Sequence, residues 1–226
     1  MKTVLITGAS DGIGKASAKL LDSLGYKLYL FGRTKEKLDE LTNSLNNVVK
    51  SYCFDALNRD ELYKALKDIK ENGGVDVLVN NMGANLKKQE VKEIDIDIFE
   101  KMMNLNCTSH LICIEELLPQ MIEKKKGNII NILSSSCLYN NPTMAAYTAS
   151  KKAMEAISAT LAKEVKEYGV VVTGIYPGGV DTNFRTLDRP DYLKAETIAK
   201  QIPLIIENED GLIQEIVIRP VVENNY

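Results

Sequence analysis

Histidine is nearly absent from this chain of 226 residues: there is one, His110. Its four cysteines, Cys53, Cys107, Cys113 and Cys137, show no C-x-x-C spacing. A structural zinc site would have to recruit carboxylates, so this composition argues against one. The scattered thiols read as small core residues in a reducing compartment. Long apolar runs are missing too. Val4-Leu5-Ile6 is too short for a signal-peptide core, and no uncharged apolar stretch reaches membrane-spanning length. Basic residues number 28 against 31 acidic ones, so no basic surplus advertises nucleic-acid binding. Lys124, Lys125 and Lys126 stand just before Gly127 and read as a helix C-terminus. No Pro/Gly/Ser-rich linker, low-complexity tract or repeat divides the chain. What remains is ordinary globular usage, 45% hydrophobic and 26% charged. The expectation is one cytoplasmic domain spanning residues 1–226, with neither membrane nor nucleic acid as a partner.

Short β-branched runs alternate with longer helical patterns throughout. Strands are expected at Val4–Thr7, Lys27–Phe31, Val48–Phe54, Val75–Asn80, Asn128–Ile132, Val170–Tyr176 and Glu215–Ile218. Several are apolar at consecutive positions, as in strands buried on both faces of a parallel sheet. Helices are expected at Gly14–Leu24, Lys35–Leu45, Arg59–Glu71, Ile96–Lys124, Thr143–Tyr168 and Lys194–Ile206. Gly25 and Gly169 fit C-terminal caps, and Asn58 with Glu61 resembles a capping box. This β-α succession with right-handed crossovers makes an α/β, Rossmann-type doubly wound fold: a mostly parallel seven-stranded sheet with helices on both faces.

The first strand runs into Thr7-Gly8-Ala9-Ser10-Asp11-Gly12-Ile13-Gly14. Glycines at such a place allow a tight turn and backbone approach to a pyrophosphate, and the following helix offers its N-terminal N–H groups. The spacing is G-x-x-x-G-x-G rather than G-x-G-x-x-G, so it is the position between first strand and first helix that carries the dinucleotide reading. The second strand ends Phe31-Gly32-Arg33-Thr34 and offers no acid to a ribose 2′-hydroxyl. Arg33 can pair with a 2′-phosphate, or be an exposed arginine starting a helix.

Tyr147 and Lys151 are four apart in an expected helix and share a face. Ser134 lies 13 residues before Tyr147, at the carboxyl end of a strand, where open α/β sheets bind ligands. A tyrosine hydroxyl can protonate a carbonyl oxygen as it receives a hydride, but its reference pKa of about 10 is high for neutral pH. Lowering it by roughly 3 units takes about 4 kcal/mol, which an ammonium about 4 Å away supplies at an effective dielectric near 20.

Taken together, TGASDGIG at 7–14, Asp55 after the third strand, VDVLVNNMG at 75–83, Asn106 in MNLNCTS, NIINILSSS, YTASK at 147–151 and YPGGVDT at 176–182 resemble the short-chain dehydrogenase/reductase family over nearly the whole chain. The resemblance implies that Ser134 donates to the substrate carbonyl, Tyr147 is the acid/base, Lys151 holds the nicotinamide ribose and lowers the tyrosine pKa, and Asn106 places a relay water. It implies coenzyme contacts from Gly8, Ser10, Gly12, Ile13, Gly14, Arg33, Thr34, Asp55, Asn81, Gly83, Tyr147, Lys151, Pro177, Gly178, Val180 and Thr182. Asp55 would meet the adenine amino group, the Asn81 region would pack on the adenosine ribose, and Val180 and Thr182 would meet the carboxamide. The coenzyme expected is NADP(H) in preference to NAD(H), although the carboxylate of Asp11 tempers this.

There are departures from the family pattern. Met82 stands where that pattern has alanine, and Ser134, Ser135 and Ser136 run consecutively, with the spacing to Tyr147 favouring Ser134. His110, Cys107 and Cys113 read as helix packing. The short substrate loop, about 178–193, suggests an open site bordered by Tyr139, Met144, Tyr176, Phe184 and Leu187, for a carbonyl or alcohol of some apolar or aromatic character. The resemblance implies a homodimer or homotetramer paired through Ile96–Lys124 and Thr143–Tyr168. A carbonyl reductase is the leading reading, and a coenzyme-sensing or scaffold protein without chemistry is its rival. A nucleotide-sugar epimerase would need a larger substrate domain.

Overall fold

The computed structural model describes residues 1–182 and 189–223. Seven strands form one sheet: β1 (Thr3–Ile6), β2 (Lys27–Gly32), β3 (Val48–Cys53), β4 (Val77–Asn80), β5 (Gly127–Ile132), β6 (Val170–Pro177) and β9 (Glu215–Ile218). Their order is β3-β2-β1-β4-β5-β6-β9, and every pairing is parallel. All seven expected strands are present. Two short strands were not foreseen: β7 (Val180–Asp181) pairs in parallel with β8 (Leu193–Lys194) and closes the base of the loop between them.

Period-two alternation distributes these strands between two cores. Val4, Ile6, Leu28, Leu30, Val77, Val79, Ile130 and Ile132 pack on one face against α1 (Gly12–Ser23), α2 (Lys35–Asn43), α7 (Ala195–Ala199) and α8 (Gln201–Ile206). Leu5, Tyr29, Phe31, Leu78 and Ile129 pack on the other against α3 (Arg59–Glu71), α5 (Ser109–Glu123) and α6 (Ala145–Glu164). Both faces are covered, which is why the strands are apolar at consecutive positions. The order reverses between β1 and β4, and a crevice opens beyond the carboxyl ends of those strands.

Three helix-end signals read from the sequence hold. The Asn58 side chain accepts from Glu61 N, and Gly25 and Gly169 have φ of +86° and +70°. Two expected helices are broken. Ile96–Lys124 is α4 (Ile96–Met103), a π-helical turn (Asn104–Thr108) and then α5. Lys194–Ile206 divides at Lys200 into α7 and α8, because Pro203 has no N–H for the carbonyl of Ala199. Thr143 has φ +63°, so the expected Thr143–Tyr168 helix starts at Ala145; it ends at Glu164 before a 3₁₀ turn.

Candidate active site

A cleft of about 580 Å³ runs along the carboxyl edge of the sheet. One end begins at the glycine turn, where the Thr7 N–H donates to the Val79 carbonyl and the Ala9 N–H to that of Phe31. Gly8 has φ +64°, and a Cβ on Gly14 would lie 2.2 Å from the Gly8 carbonyl oxygen. Only glycine permits this fold-back, which leaves the α1 N-terminus facing the cleft. Asn81 holds the turn from below: its Nδ2 donates to the carbonyls of Thr7 and Gly8 at 2.9 and 3.1 Å. Its Nδ2 is therefore committed to the turn. Met82 is buried in the core and borders the cleft, and its carbonyl accepts from His110 Nε2 at 2.6 Å. Burial pushes the His110 pKa down to about 3, so this imidazole is neutral with its proton on Nε2.

Around the turn the wall is formed by Ser10, Gly12, Ile13, Arg33, Thr34 and Asp55. A Cβ on Gly32 would sit 3.2 Å from Ser10 and 3.1 Å from Leu38, so an acidic side chain there would have to displace its neighbours. Asp55 Oδ1 accepts from Leu57 N at 3.0 Å. Asp11 caps α1 by accepting from Gly12 N at 2.8 Å, and its other oxygen meets Lys37 Nζ at 2.5 Å. Lys37 also borders the cleft. No sequence signal singled it out, although it stands one helical turn beyond Arg33. Phe31 and Phe54, packed edge to face at 5.0 Å, border this end as well.

The other end is built around Lys151, which is 4% exposed. Its Nζ donates to the Ile132 carbonyl at 2.9 Å, two residues before Ser134 on the same segment. A Cβ on Gly83 would lie 3.4 Å from that Nζ and 2.8 Å from Asn106 Oδ1, so the segment after β4, the π turn and α6 converge here. Burial lowers the Lys151 pKa to about 8, against smaller raising effects from Cys137 and Cys107. It is thus an ammonium at neutral pH and loses its charge as pH rises through about 8. Tyr147, 7% exposed, lies one turn earlier on α6 and borders the cleft together with Ser134. Ser134 starts a 3₁₀ turn, its Oγ accepting from Ser136 N at 3.1 Å. Ser135 and Ser136 share the wall.

Asn106 stands behind this wall, fully buried. Its Oδ1 accepts from Ala84 N, and its Nδ2 donates to the Ala84 carbonyl and to Ser150 Oγ, each at 2.9 Å. Both Nδ2 protons are spent in these bonds, while Oδ1 keeps a second lone pair for a further donor. The π turn that carries it is a one-residue bulge of the kind found at functional sites.

Pro177, Gly178, Val180 and Thr182 complete the cleft on the loop side. Of the residues expected to border the substrate, Met144 does so, whereas Tyr176 is buried in the core with its hydroxyl 3.2 Å from Glu215. Tyr139 lies under the Arg219 guanidinium, and Phe184 and Leu187 fall outside the described residues. Asn85, Asn141 and Glu223, which the sequence did not flag, border the cleft instead. All four cysteines are free, and among the described residues no group of His, Cys, Asp and Glu is placed to hold a metal ion. Nor is any described helix long and apolar enough to cross a membrane.

Residues 2–193 match the family described as short chain dehydrogenase. An oxidoreductase of Staphylococcus aureus strain MW2 is 33% identical over 226 residues, 97% of each chain, and one of Staphylococcus epidermidis is 33% identical over 229 residues. Among solved structures, serine dehydrogenase from Escherichia coli superposes with a TM-score of 0.88 at 26% identity, covering 98% of this chain and 99% of that one. An alcohol dehydrogenase from the archaeon Thermococcus sibiricus, complexed with 5-hydroxy-NADP, gives 0.91 at 25% identity over 100% and 99%. The closed form of serine dehydrogenase, complexed with NADP+, gives 0.89 at 25% identity over 98% and 96%. The glycine turn, the doubly wound sheet and these matches together identify the chain as an oxidoreductase of the short-chain dehydrogenase/reductase family.

Proposed function

We propose that this oxidoreductase reduces a carbonyl, or oxidises the corresponding alcohol, at the Ser134–Tyr147–Lys151 end of the cleft, with NADP(H) favoured over NAD(H). The observation that carries the reading is the buried Lys151 ammonium, tied to the foot of the serine segment and one helical turn from Tyr147. When bound, the nicotinamide coenzyme supplies or accepts the hydride. Tyr147 donates its hydroxyl proton to the carbonyl oxygen, and Ser134 donates a hydrogen bond to the same oxygen. The Lys151 charge favours phenolate, so it eases departure of that proton. At the other end the glycine turn and the α1 N-terminus suit the pyrophosphate. An acid at position 32 would crowd Ser10 and Leu38, while Arg33, Thr34 and Ser10 offer donors to a 2′-phosphate. Two of the similar structures are named as complexes of NADP or its 5-hydroxy derivative, which supports this choice.

The substrate end is more polar than the sequence suggested. Asn85, Ser134, Ser135, Ser136 and Asn141 line the cleft along with Met144, and Asn85 Nδ2 lies 3.1 Å from the Met144 sulfur. This supports a small carbonyl or alcohol bearing further polar groups over an aromatic one, in keeping with the serine dehydrogenase among the structural neighbours. The shallow apolar groove between α5 and α6, with Leu111, Ile114, Ile157 and Leu161, supports homo-oligomerisation through those helices, to be checked by light scattering.

The test of function is consumption of NADPH with a panel of polar and apolar ketones and aldehydes. Turnover with members of the polar set is expected. Tight coenzyme binding with silence across the whole panel would replace the enzyme by a coenzyme-binding protein without chemistry.

A further inference from the structure

An ion pair of the C-terminal tail lies against the Tyr147–Lys151 half of the cleft, and the hydride chemistry does not use it. Arg219 Nε donates to Glu223 Oε2 at 3.2 Å, with the two side chains only 9% and 17% exposed. The other oxygen of Glu223 accepts from Gly179 N at 2.7 Å, and Gly178 N donates to the Ile218 carbonyl at 2.8 Å. A Cβ on Gly178 would lie 2.6 Å from Glu223 Oε2, so the carboxylate rests directly on the loop backbone. On the loop's other side the Tyr192 ring packs on Gly179, and Leu193 N donates to the Gly179 carbonyl. The Arg219 guanidinium meanwhile sits 4.2 Å over the ring of Tyr139, whose N–H donates to the Ser135 carbonyl. The tail thus touches both the Pro177–Gly179 loop and the turn that carries Ser134.

We propose that the Arg219–Glu223 pair is a clamp that positions these two segments against each other, making Glu223 a positioning residue for the nicotinamide and the substrate carbonyl. The proposal rests on the coenzyme reading given above. Exposed ion pairs contribute little, but this one is largely shielded from water, and its bonds to a backbone N–H and a guanidinium are charge-assisted. The energetic consequence is expected on the half of the cleft where Glu223 bonds Gly179.

The experiment compares two ligands in wild type, Glu223→Ala and Glu223→Gln. NADPH spans the cleft, whereas 2′,5′-ADP reaches only the glycine-turn end. With Glu223→Ala, the NADPH Kd and the KM of a working carbonyl should each rise about tenfold, while the 2′,5′-ADP Kd stays within about twofold. Glu223→Gln keeps an acceptor for Gly179 N, should recover part of both losses, and carries the comparison if the alanine variant melts early. Equal weakening of NADPH and 2′,5′-ADP would make the pair a general fold brace and overturn the clamp. So would unchanged NADPH binding and KM. A wild-type protein that binds no NADPH would overturn the coenzyme reading itself, and the clamp with it.

Discussion

The two ends of the cleft are made from different material. At the glycine-turn end, Arg33, Thr34, Lys37 and Asp55 are exposed and lie on loops or a first helical turn. At the other end Tyr147 and Lys151 are buried on the long helix α6, braced by β5 and by the π turn before α5. The difference is one of dielectric. Charges in contact with water interact weakly and are screened by salt, so the first end works by adding small increments. A desolvated ammonium acts on its neighbours far more strongly and cannot be replaced by solvent, so single groups at the second end should dominate.

The largest effect is expected from Tyr147→Phe. It removes one hydroxyl from a buried site without changing the ring, so fold and coenzyme binding should survive. Turnover should fall by about 100-fold or more, within the range for general acid–base groups. Near-normal turnover would break the comparison, since the buried end would then hold no indispensable group. Lys151→Met comes next, with a similar loss of turnover and an effect on stability that depends on pH. The folded-state pKa of about 8 lies below the ordinary 10.5, so between those values the unfolded chain binds more protons and wild-type stability rises with pH. Below about pH 8 the wild type carries the full cost of a buried charge. The melting temperature of the variant minus that of wild type should therefore fall as pH rises from about 8 to about 10.5. A difference that is flat across this range would mean that Lys151 is not desolvated.

The same contrast decides what could be read from the sequence. The central strands were legible because their apolar runs record burial on two faces, whereas β3 and β9, at the sheet edges, were read from β-branched residues alone. The glycine turn was legible because a fold-back with Gly14 against the Gly8 carbonyl admits no side chain. That Tyr147, Lys151 and Ser134 line one cleft was legible from helical spacing and a strand end, both local signals. For Asn106 the sequence shows the residue but not its surroundings, since nothing near it in the chain reveals that its amide bonds Ala84 and Ser150. The break after Met103 was hidden for a similar reason: no local residue pattern marks the one-residue insertion of the π turn Asn104–Thr108. Glu223 had no local signal at all. It meets Gly179 only because β9 lies beside β6, a pairing set by the whole sheet.

Arg33→Ala tests the exposed end. Hydrogen bonds to charged groups contribute roughly 1.5–3 kcal/mol, so the ratio of NADH to NADPH dissociation constants should drop by about 10- to 100-fold. The loss should shrink as salt is raised, because the site is open to water. An unchanged ratio would remove Arg33 from the coenzyme site and leave that end without its main cation.

The smallest effect is expected from Lys37→Ala, and it is the sharpest probe of the contrast. Asp11 places a carboxylate beside the glycine turn, where it would repel a 2′-phosphate. Lys37 neutralises it at 2.5 Å, with side chains 46% and 40% exposed. Such a pair contributes about 0–1 kcal/mol by itself, so fold stability should hardly change. With the lysine gone, the carboxylate loses one positive neighbour beside the phosphate, and NADPH binding should weaken by about two- to fivefold at low salt. NADH, lacking the phosphate, should be nearly indifferent. Asp11→Ser in the same background removes the repulsion and should restore most of the loss, while its helix-capping oxygen is retained. If Lys37→Ala weakens both coenzymes equally, the pair braces the turn and plays no part in the choice between them. If it costs as much as Arg33→Ala, the exposed end is not additive, and the contrast drawn between the two ends fails there.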